Sequence, residues 1–175
     1  MTKMTSYVAL LRGVNVGGTG LLPMQDLSRL CTECGLLSVR TYIQSGNVVF
    51  ASAAAEKSIQ AKLQKALAAK MGKPIHVMVR NAQEMRDVLA GNPFPDKEPS
   101  KVAVAFLAEA PAGDLLQRMA APGGEQVRIG RREIYIYYPD GMGQSKLKLT
   151  FAGPATVRNI NTVTKLVSMM TPEIR

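Results

Sequence analysis

The order of apolar patterns along residues 1–80 constrains the fold more than any other feature of this sequence. Short β-rich runs closed by turn residues predict strands, and apolar residues spaced three and four apart predict helices. One helix starts near Pro23 and a second carries an apolar stripe from Ile59 to Met71. The predicted strands are SYVALLRG (6–13), VRTYIQ (39–44), NVVFAS (47–52) and IHVMVR (75–80). The resulting order, β-α-β-β-α-β, is typical of the split βαβ or ferredoxin-like unit.

The second half of the chain carries a related series of patterns. Its predicted elements are a helix over 82–90, a strand over 102–109, a helix near 112–120, a hairpin over 125–138, a turn of helix near 145–151 and a last helix capped by Asn161. This is an α-β-α-β-β-α-α series. We therefore predict an α+β protein of two ferredoxin-like subdomains with antiparallel sheets, the first over 1–80 and the second over 81–175 with C-terminal helices.

A glycine-rich segment, RGVNVGGTG (12–20), follows the first predicted strand. In the split βαβ unit, the end of the first strand lies beside the turn that joins the second and third strands, here QSGN (44–47). Backbone N–H groups near a helix N-terminus favour anions, and arginine adds a planar donor fork. The candidate ligand-binding residues at this edge are Arg12, Gly13, Asn15, Gly17, Gly18, Gln44, Ser45 and Asn47.

Neither of two common phosphate-binding motifs, G-x-G-x-x-G and G-x-x-x-x-G-K-[ST], matches this glycine-rich segment. The alternative to a binding edge is therefore a structural one, in which a long connection needs glycine only to cross the end of the sheet.

A second group of polar residues lies near the C-terminus, in YYPDGMGQSK (137–146) and TVRNINTVTK (156–165). Donors at two helix starts predict a further anion site, whereas Asn and Ser at such positions also serve as ordinary helix caps. The candidate residues here are Lys146, Arg158, Asn159 and Asn161.

The charge is strongly positive and unevenly distributed. The net charge is +9, and residues 1–80 hold ten Lys and Arg against three Asp and Glu. This imbalance favours a nucleic acid, a phosphorylated small molecule or an acidic partner, with solubility as the alternative. The chain shows no apolar run near the ~20 residues that span a bilayer, and its two cysteines suit a reducing compartment. We expect a cytoplasmic protein without membrane contact.

Other reactive residues point to structure rather than catalysis. Cys31 and Cys34 fall on the apolar face of the first helix, near its end, so we expect core residues rather than a redox pair or a metal site. His76 is the sole histidine and has no nucleophile motif to partner it. Tyr135 and Tyr137 share a strand face near several arginines, which leaves base stacking as an alternative function.

Several segments together resemble one bacterial family, domain of unknown function 1697. They are YVALLRGVNVGG, LPM, VRTYIQSGNVVF, NPFP, YIYYPDGMGQSKL and PATVRNINTVTKL, in this order. The resemblance implies a small cytoplasmic α+β protein of two related subdomains and implies no reaction. Gln144 and Ile160 depart from the family pattern, in which arginine and an aromatic residue are usual, and 146–153 is shorter than the helix expected there.

Three classes of function remain from the sequence. The first is binding of a phosphate-bearing or nucleic-acid ligand at the glycine-rich segment. The second is an enzyme acting on a small phosphorylated or nucleotide substrate, with Arg12, Lys146 and Arg158 as charge stabilisers and no general base, metal or cofactor assigned. The third is a non-catalytic interaction module or homodimer that uses a free sheet edge.

Overall fold

A computed structural model of the protein describes residues 3–18, 20–149 and 153–170. The strands are β1 (Thr5–Leu11), β2 (Leu37–Tyr42), β3 (Asn47–Ser52), β4 (Val77–Asn81), β5 (Val102–Leu107), β6 (Gln126–Ile129), β7 (Glu133–Tyr137) and β8 (Ala155–Asn159). The helices are α1 (Met24–Glu33), α2 (Glu56–Met71), α3 (Ala82–Ala90) and α4 (Ile160–Met170). Short 3₁₀ turns lie at Pro99–Lys101, Leu115–Arg118 and Met142–Gln144.

The first sheet has the strand order β2-β3-β1-β4. All its neighbouring strands are antiparallel. Alternate residues of β1, including Ala9 and Leu11, share one apolar cluster with buried residues of α1 and α2. Side chains alternate between the two faces of a strand, so every second residue points to the same side of the sheet. That apolar side packs against the apolar stripes of α1 and α2. The element order predicted for residues 1–80 is confirmed.

Both helices of this unit end where glycine leaves the helical conformation. Gly72 follows α2 with φ +72°, and its N–H bonds the Ala68 carbonyl at 2.9 Å. Gly35 follows α1 with φ +85°. Glycine reaches this left-handed region without the steric cost of a Cβ, and it is the usual residue just past a helix end.

The second sheet has the order β6-β7-β5-β8 and is also antiparallel throughout. Here the predicted α-β-α-β-β-α-α series is wrong in two respects. The helix expected near 112–120 is only the 3₁₀ turn Leu115–Arg118, and a strand, β8, was not predicted. The expected turn of helix near 145–151 lies partly outside the described residues, and a 3₁₀ turn precedes it at Met142–Gln144.

The two sheets repeat one local arrangement at their fourth strands. β4 ends in Arg80 and Asn81, and β8 ends in Arg158 and Asn159. Arg80 pairs with Val8 of β1, and Arg158 pairs with Val104 of β5. Each asparagine then accepts a backbone hydrogen bond at the start of the next helix, from Glu84 N at 2.8 Å and from Thr162 N at 2.9 Å.

This repeat supports the expected relation between the halves and corrects the expected cap of the last helix. Asn159 caps α4 through its side chain, whereas Asn161, two residues further along, is exposed. The mixed α+β class with antiparallel sheets is thereby confirmed.

The chain divides into two compact units. Of the described residues, those of 3–85 and 166–170 form the first, and those of 86–165 form the second. Thus the end of α4 belongs to the unit that contains β1, as the bond from the Arg40 guanidinium to the Met169 carbonyl shows. None of the helices in the described part of the chain has the length and apolar character needed to cross a bilayer.

Candidate functional site

The segment after β1 has a backbone that only glycine and asparagine adopt readily. We call residues 12–22 the glycine loop. Positive φ occurs at Gly13, Asn15, Gly17, Gly18 and Gly20, with values between +56° and +75°. A Cβ on Gly13, Gly17 or Gly18 would meet no atom within 4 Å. Glycine is therefore favoured at these positions by the positive φ of the backbone and not by crowding. The backbone at these positions consequently faces open space.

Asn15 ties the glycine loop to the neighbouring turn. Its Nδ2 donates to the Leu22 carbonyl at 2.9 Å and to the Gln44 carbonyl at 2.7 Å. Its Oδ1 accepts a bond from Leu22 N at 2.7 Å, and its own N donates to the Gly20 carbonyl at 2.9 Å. One side chain therefore fixes the start of the loop, its end and the β2–β3 turn relative to one another.

The β2–β3 turn lies directly beside the end of β1, as predicted. Leu11 N donates to the Gly46 carbonyl at 2.9 Å. The side chain of Asn47 is fully buried and donates to the Tyr42 carbonyl at 2.9 Å and to Ser45 Oγ at 3.0 Å. Asn47 and Ser45 therefore stabilise the turn, while the exposed side chain of Gln44 remains on the outer surface.

Two cationic side chains, those of Arg12 and Lys73, lie at the glycine loop. Arg12 is exposed, and its backbone N donates to the His76 carbonyl at 3.0 Å. Within the described residues its guanidinium forms no hydrogen bond or ion pair. The Nζ of Lys73 lies 3.3 Å from the position that a Cβ on Gly20 would take.

The sequence analysis did not select Lys73, although its position could have indicated it. Because β4 runs antiparallel to β1, the residues just before β4 lie at the same edge as the residues just after β1.

Acidic residues are scarce in the segments that build this edge. Residues 1–25, 34–55 and 57–83 contain no Asp or Glu. The first acid after the loop, Asp26, lies in the first turn of α1 and pairs with Lys70 at 3.4 Å. α1 has Pro23 as its N-cap and no side-chain cap. The electrostatic character of the edge is therefore cationic, with the positive end of a helix dipole beside it.

The second predicted anion cluster has a more structural character. Arg158 is buried, its Nη1 donates to the Val157 carbonyl at 2.9 Å, and burial lowers the pKa of its guanidinium to about 10. Asn159 is the cap of α4, and Lys146 and Asn161 are exposed. An anion site at these four residues stays a prediction.

The segment that carries Lys146 is held by an internal hydrogen-bond network. Ser145 Oγ donates to Glu125 Oε1 at 2.8 Å, and Gly123 N donates to Glu125 Oε2 at 3.0 Å. Hydrogen bonds, above all from its own backbone N–H and from Ser145, lower the pKa of Glu125. The serine of the GQSKL segment thus stabilises a loop.

The β7 tyrosines that could have stacked on bases are covered by other side chains. Phe94 is buried and its ring centroid lies 5.9 Å from that of Tyr137, while Lys97 Nζ lies 5.0 Å from the same Tyr137 ring. Tyr135 is buried and donates from its hydroxyl to the Val88 carbonyl at 2.7 Å. The proline-rich segment 91–100 therefore covers this face with Phe94.

The cysteines lie where the helix pattern predicted. Cys31 is fully buried in the first core, and burial, followed by the nearby Cys34, raises the pKa of its thiol to about 12. Cys34 is half-buried, and burial raises its pKa as well. A thiol that stays protonated is a poor nucleophile. Among the described residues, no group of three His, Cys, Asp or Glu is placed to hold a metal ion.

These features define an α+β protein with two related four-stranded sheets and a cationic glycine loop on the first. The family model described as "Protein of unknown function (DUF1697)" matches residues 4–135, and the chain belongs to this family. The predicted membership is confirmed.

One similar solved structure is that of the conserved bacterial protein SP0830 from Streptococcus pneumoniae. It is 24% identical to this chain, with a TM-score of 0.80 over 97% of this chain and 100% of that one. This likeness shows a shared fold. No curated protein matches the chain.

Proposed function

We propose that the glycine loop binds the phosphate group of a phosphorylated small molecule or nucleic acid. The observation that carries this proposal is a comparison within the molecule. β1 and β5 are equivalent central strands in sheets of the same order, so the segments that follow them have equivalent topological positions. They differ sharply in composition and backbone.

The segment after β5 makes the equivalent connection without a glycine-rich backbone. Residues 108–114, AEAPAGD, contain two acids and one glycine. None of these residues has a positive φ. By contrast, the glycine loop has five described residues at positive φ and no acid. Leaving a central strand of this sheet therefore does not by itself demand glycine, which weakens the structural alternative.

The chemistry of the loop suits phosphate. Exposed backbone N–H groups in left-handed conformations form concave donor sets, and such sets bind anions together with nearby helix N-termini. Arg12 provides a bidentate donor and Lys73 a compact charge. Asn15 holds the loop in one arrangement through its bonds to Leu22 and Gln44, so little conformational entropy is lost on binding.

The test uses the full chain and inorganic phosphate. Titration at constant ionic strength, followed by ¹⁵N NMR, is expected to shift the amides of Gly13, Gly17 and Gly18. Arg12→Ala is expected to weaken phosphate binding about tenfold or more, because a charge-assisted hydrogen bond contributes roughly 1.5–3 kcal/mol. Arg131→Ala removes the same charge from the exposed β6–β7 turn and serves as the matched control.

The outcomes separate the proposal from general attraction to a basic surface. Equal weakening in Arg12→Ala and Arg131→Ala, or the absence of shifts at the three glycines, would refute it. A parallel titration with single-stranded RNA between about 50 and 200 mM salt distinguishes a nucleic acid from a small phosphorylated ligand, because polyanion binding falls steeply with salt.

A further inference from the structure

Three exposed aliphatic residues lie on the glycine loop and on the adjoining β2–β3 turn. Val16, Leu21 and Ile43 are 60%, 69% and 47% exposed. We call these three residues the apolar collar. Large aliphatic side chains with this exposure are common singly on protein surfaces, but a group of them beside a charged edge is typical of an interaction site.

Asn15 brings the apolar collar together. Val16 follows Asn15 directly, Leu21 precedes Leu22, and Ile43 precedes Gln44. The Asn15 side chain hydrogen-bonds the backbones of Leu22 and Gln44 at 2.7–2.9 Å. Each residue of the collar is therefore one position from a group held by the same amide. The backbones that carry the three collar residues are therefore held close to one another.

Ile43 adopts a backbone conformation that its side chain disfavours. Its φ is +51°, in the left-handed region that β-branched residues rarely enter. The turn is closed by Gly46 N, which donates to the Ile43 carbonyl at 3.4 Å. Ile43 is thus a half-exposed aliphatic residue held in a disfavoured backbone conformation beside the glycine loop.

We infer that the ligand of this edge is a nucleoside monophosphate, with its phosphate on the glycine loop and its base on the apolar collar. This inference rests on the proposed function. A nucleotide joins a phosphate dianion, through one sugar, to a flat base whose faces are apolar. The edge likewise combines the Arg12 and Lys73 charges with an apolar surface carried by adjoining backbone.

Two other phosphate sources fit less well. Inorganic phosphate or a sugar phosphate would leave the collar exposed to water. A long single strand is usually bound on several aromatic side chains, one for each stacked base. The collar has three aliphatic residues and no aromatic one, which matches a single base.

The experiment compares inorganic phosphate, ribose 5-phosphate and adenosine 5′-monophosphate by calorimetry with the full chain. The nucleotide is expected to bind about tenfold tighter than ribose 5-phosphate, through apolar contact with the collar. Ile43→Ser is expected to remove this advantage and to leave ribose 5-phosphate binding unchanged, because Ile43 lies outside the glycine loop. The control is Leu37→Ser, since Leu37 is 55% exposed at the start of β2, at the opposite end of that strand from Ile43.

The possible results distinguish the inference from the proposed function. Equal affinity for the nucleotide and ribose 5-phosphate overturns the nucleoside assignment and leaves phosphate binding standing. A loss in Leu37→Ser equal to that in Ile43→Ser also overturns it. Binding of none of the three probes overturns both. An RNA oligomer that binds far more tightly than the nucleotide, with a steep salt dependence, replaces the mononucleotide with a polymer.

Discussion

Replacement of Gly46 by alanine tests the packing that joins the β2–β3 turn to the glycine loop. Gly46 has φ +87° and accepts a hydrogen bond from Leu11 N. A Cβ at this position would lie 2.8 Å from Val14 Cγ2 and 2.9 Å from Leu11 Cβ. Both neighbours are buried, and the Leu11 Cβ is fixed to the backbone of β1, so neither atom can move away cheaply.

The expected cost has two parts. A non-glycine residue in the left-handed region costs about 1–2 kcal/mol. Overpacking of a filled site costs about 1–3 kcal/mol more. Together these give a loss of about 2–5 kcal/mol in the free energy of unfolding for Gly46→Ala. Gly72→Ala is the matched control, because Gly72 has φ +72° and a Cβ there would meet nothing within 4 Å.

Urea unfolding followed by far-UV circular dichroism measures both variants against the natural chain. Gly72→Ala is expected to lose only the conformational part, about 1–2 kcal/mol. Near-equal losses in the two variants would show that the turn yields to the added methyl group. The close approach between the turn and the loop would then not constrain the site.

Two further predictions concern titratable groups. Burial, with a smaller contribution from Glu133, raises the pKa of Tyr135 from its ordinary value of 10.0 to about 12. The folded chain therefore holds the neutral phenol and is expected to lose stability as pH rises from 10 to 12. Tyr135→Phe loses the hydrogen bond to Val88, about 1 kcal/mol, and should show a smaller alkaline loss in urea titrations from pH 9 to 12; an unchanged pH profile would contradict this. Iodoacetamide at pH 8 is expected to label half-buried Cys34 well before fully buried Cys31, as read by mass spectrometry, and equal labelling rates would show that α1 opens readily.

The proximity of the glycine loop to the β2–β3 turn could be predicted because it follows from the strand topology. Once the first 80 residues are assigned to β-α-β-β-α-β, the end of the first strand and the hairpin turn must share an edge. The bonds from Leu11 to Gly46 and from Asn15 to Gln44 confirm this. The same rule applied to the fourth strand would have added Lys73.

Errors in the second half arose where local signals were weak. β8 has the sequence ATVRN, in which Thr, Arg and Asn hide the apolar alternation. Its counterpart β4, VMVRN, is more apolar and was recognised. The helix expected near 112–120 has Leu115, Leu116 and Met119 at plausible spacing, but Gly113 and Pro122 flank it closely, and only a 3₁₀ turn forms.

The sequence by itself determined the strand and helix order of the first half, the left-handed positions of the glycine loop and the excess of positive charge. These properties depend on neighbours along the chain, since periodicity and glycine placement act locally. Only the tertiary structure decided that Asn15 joins three backbone groups, that Arg158 is buried and that Phe94 covers Tyr137. Each of these depends on partners that folding brings close, which no spacing in the sequence encodes.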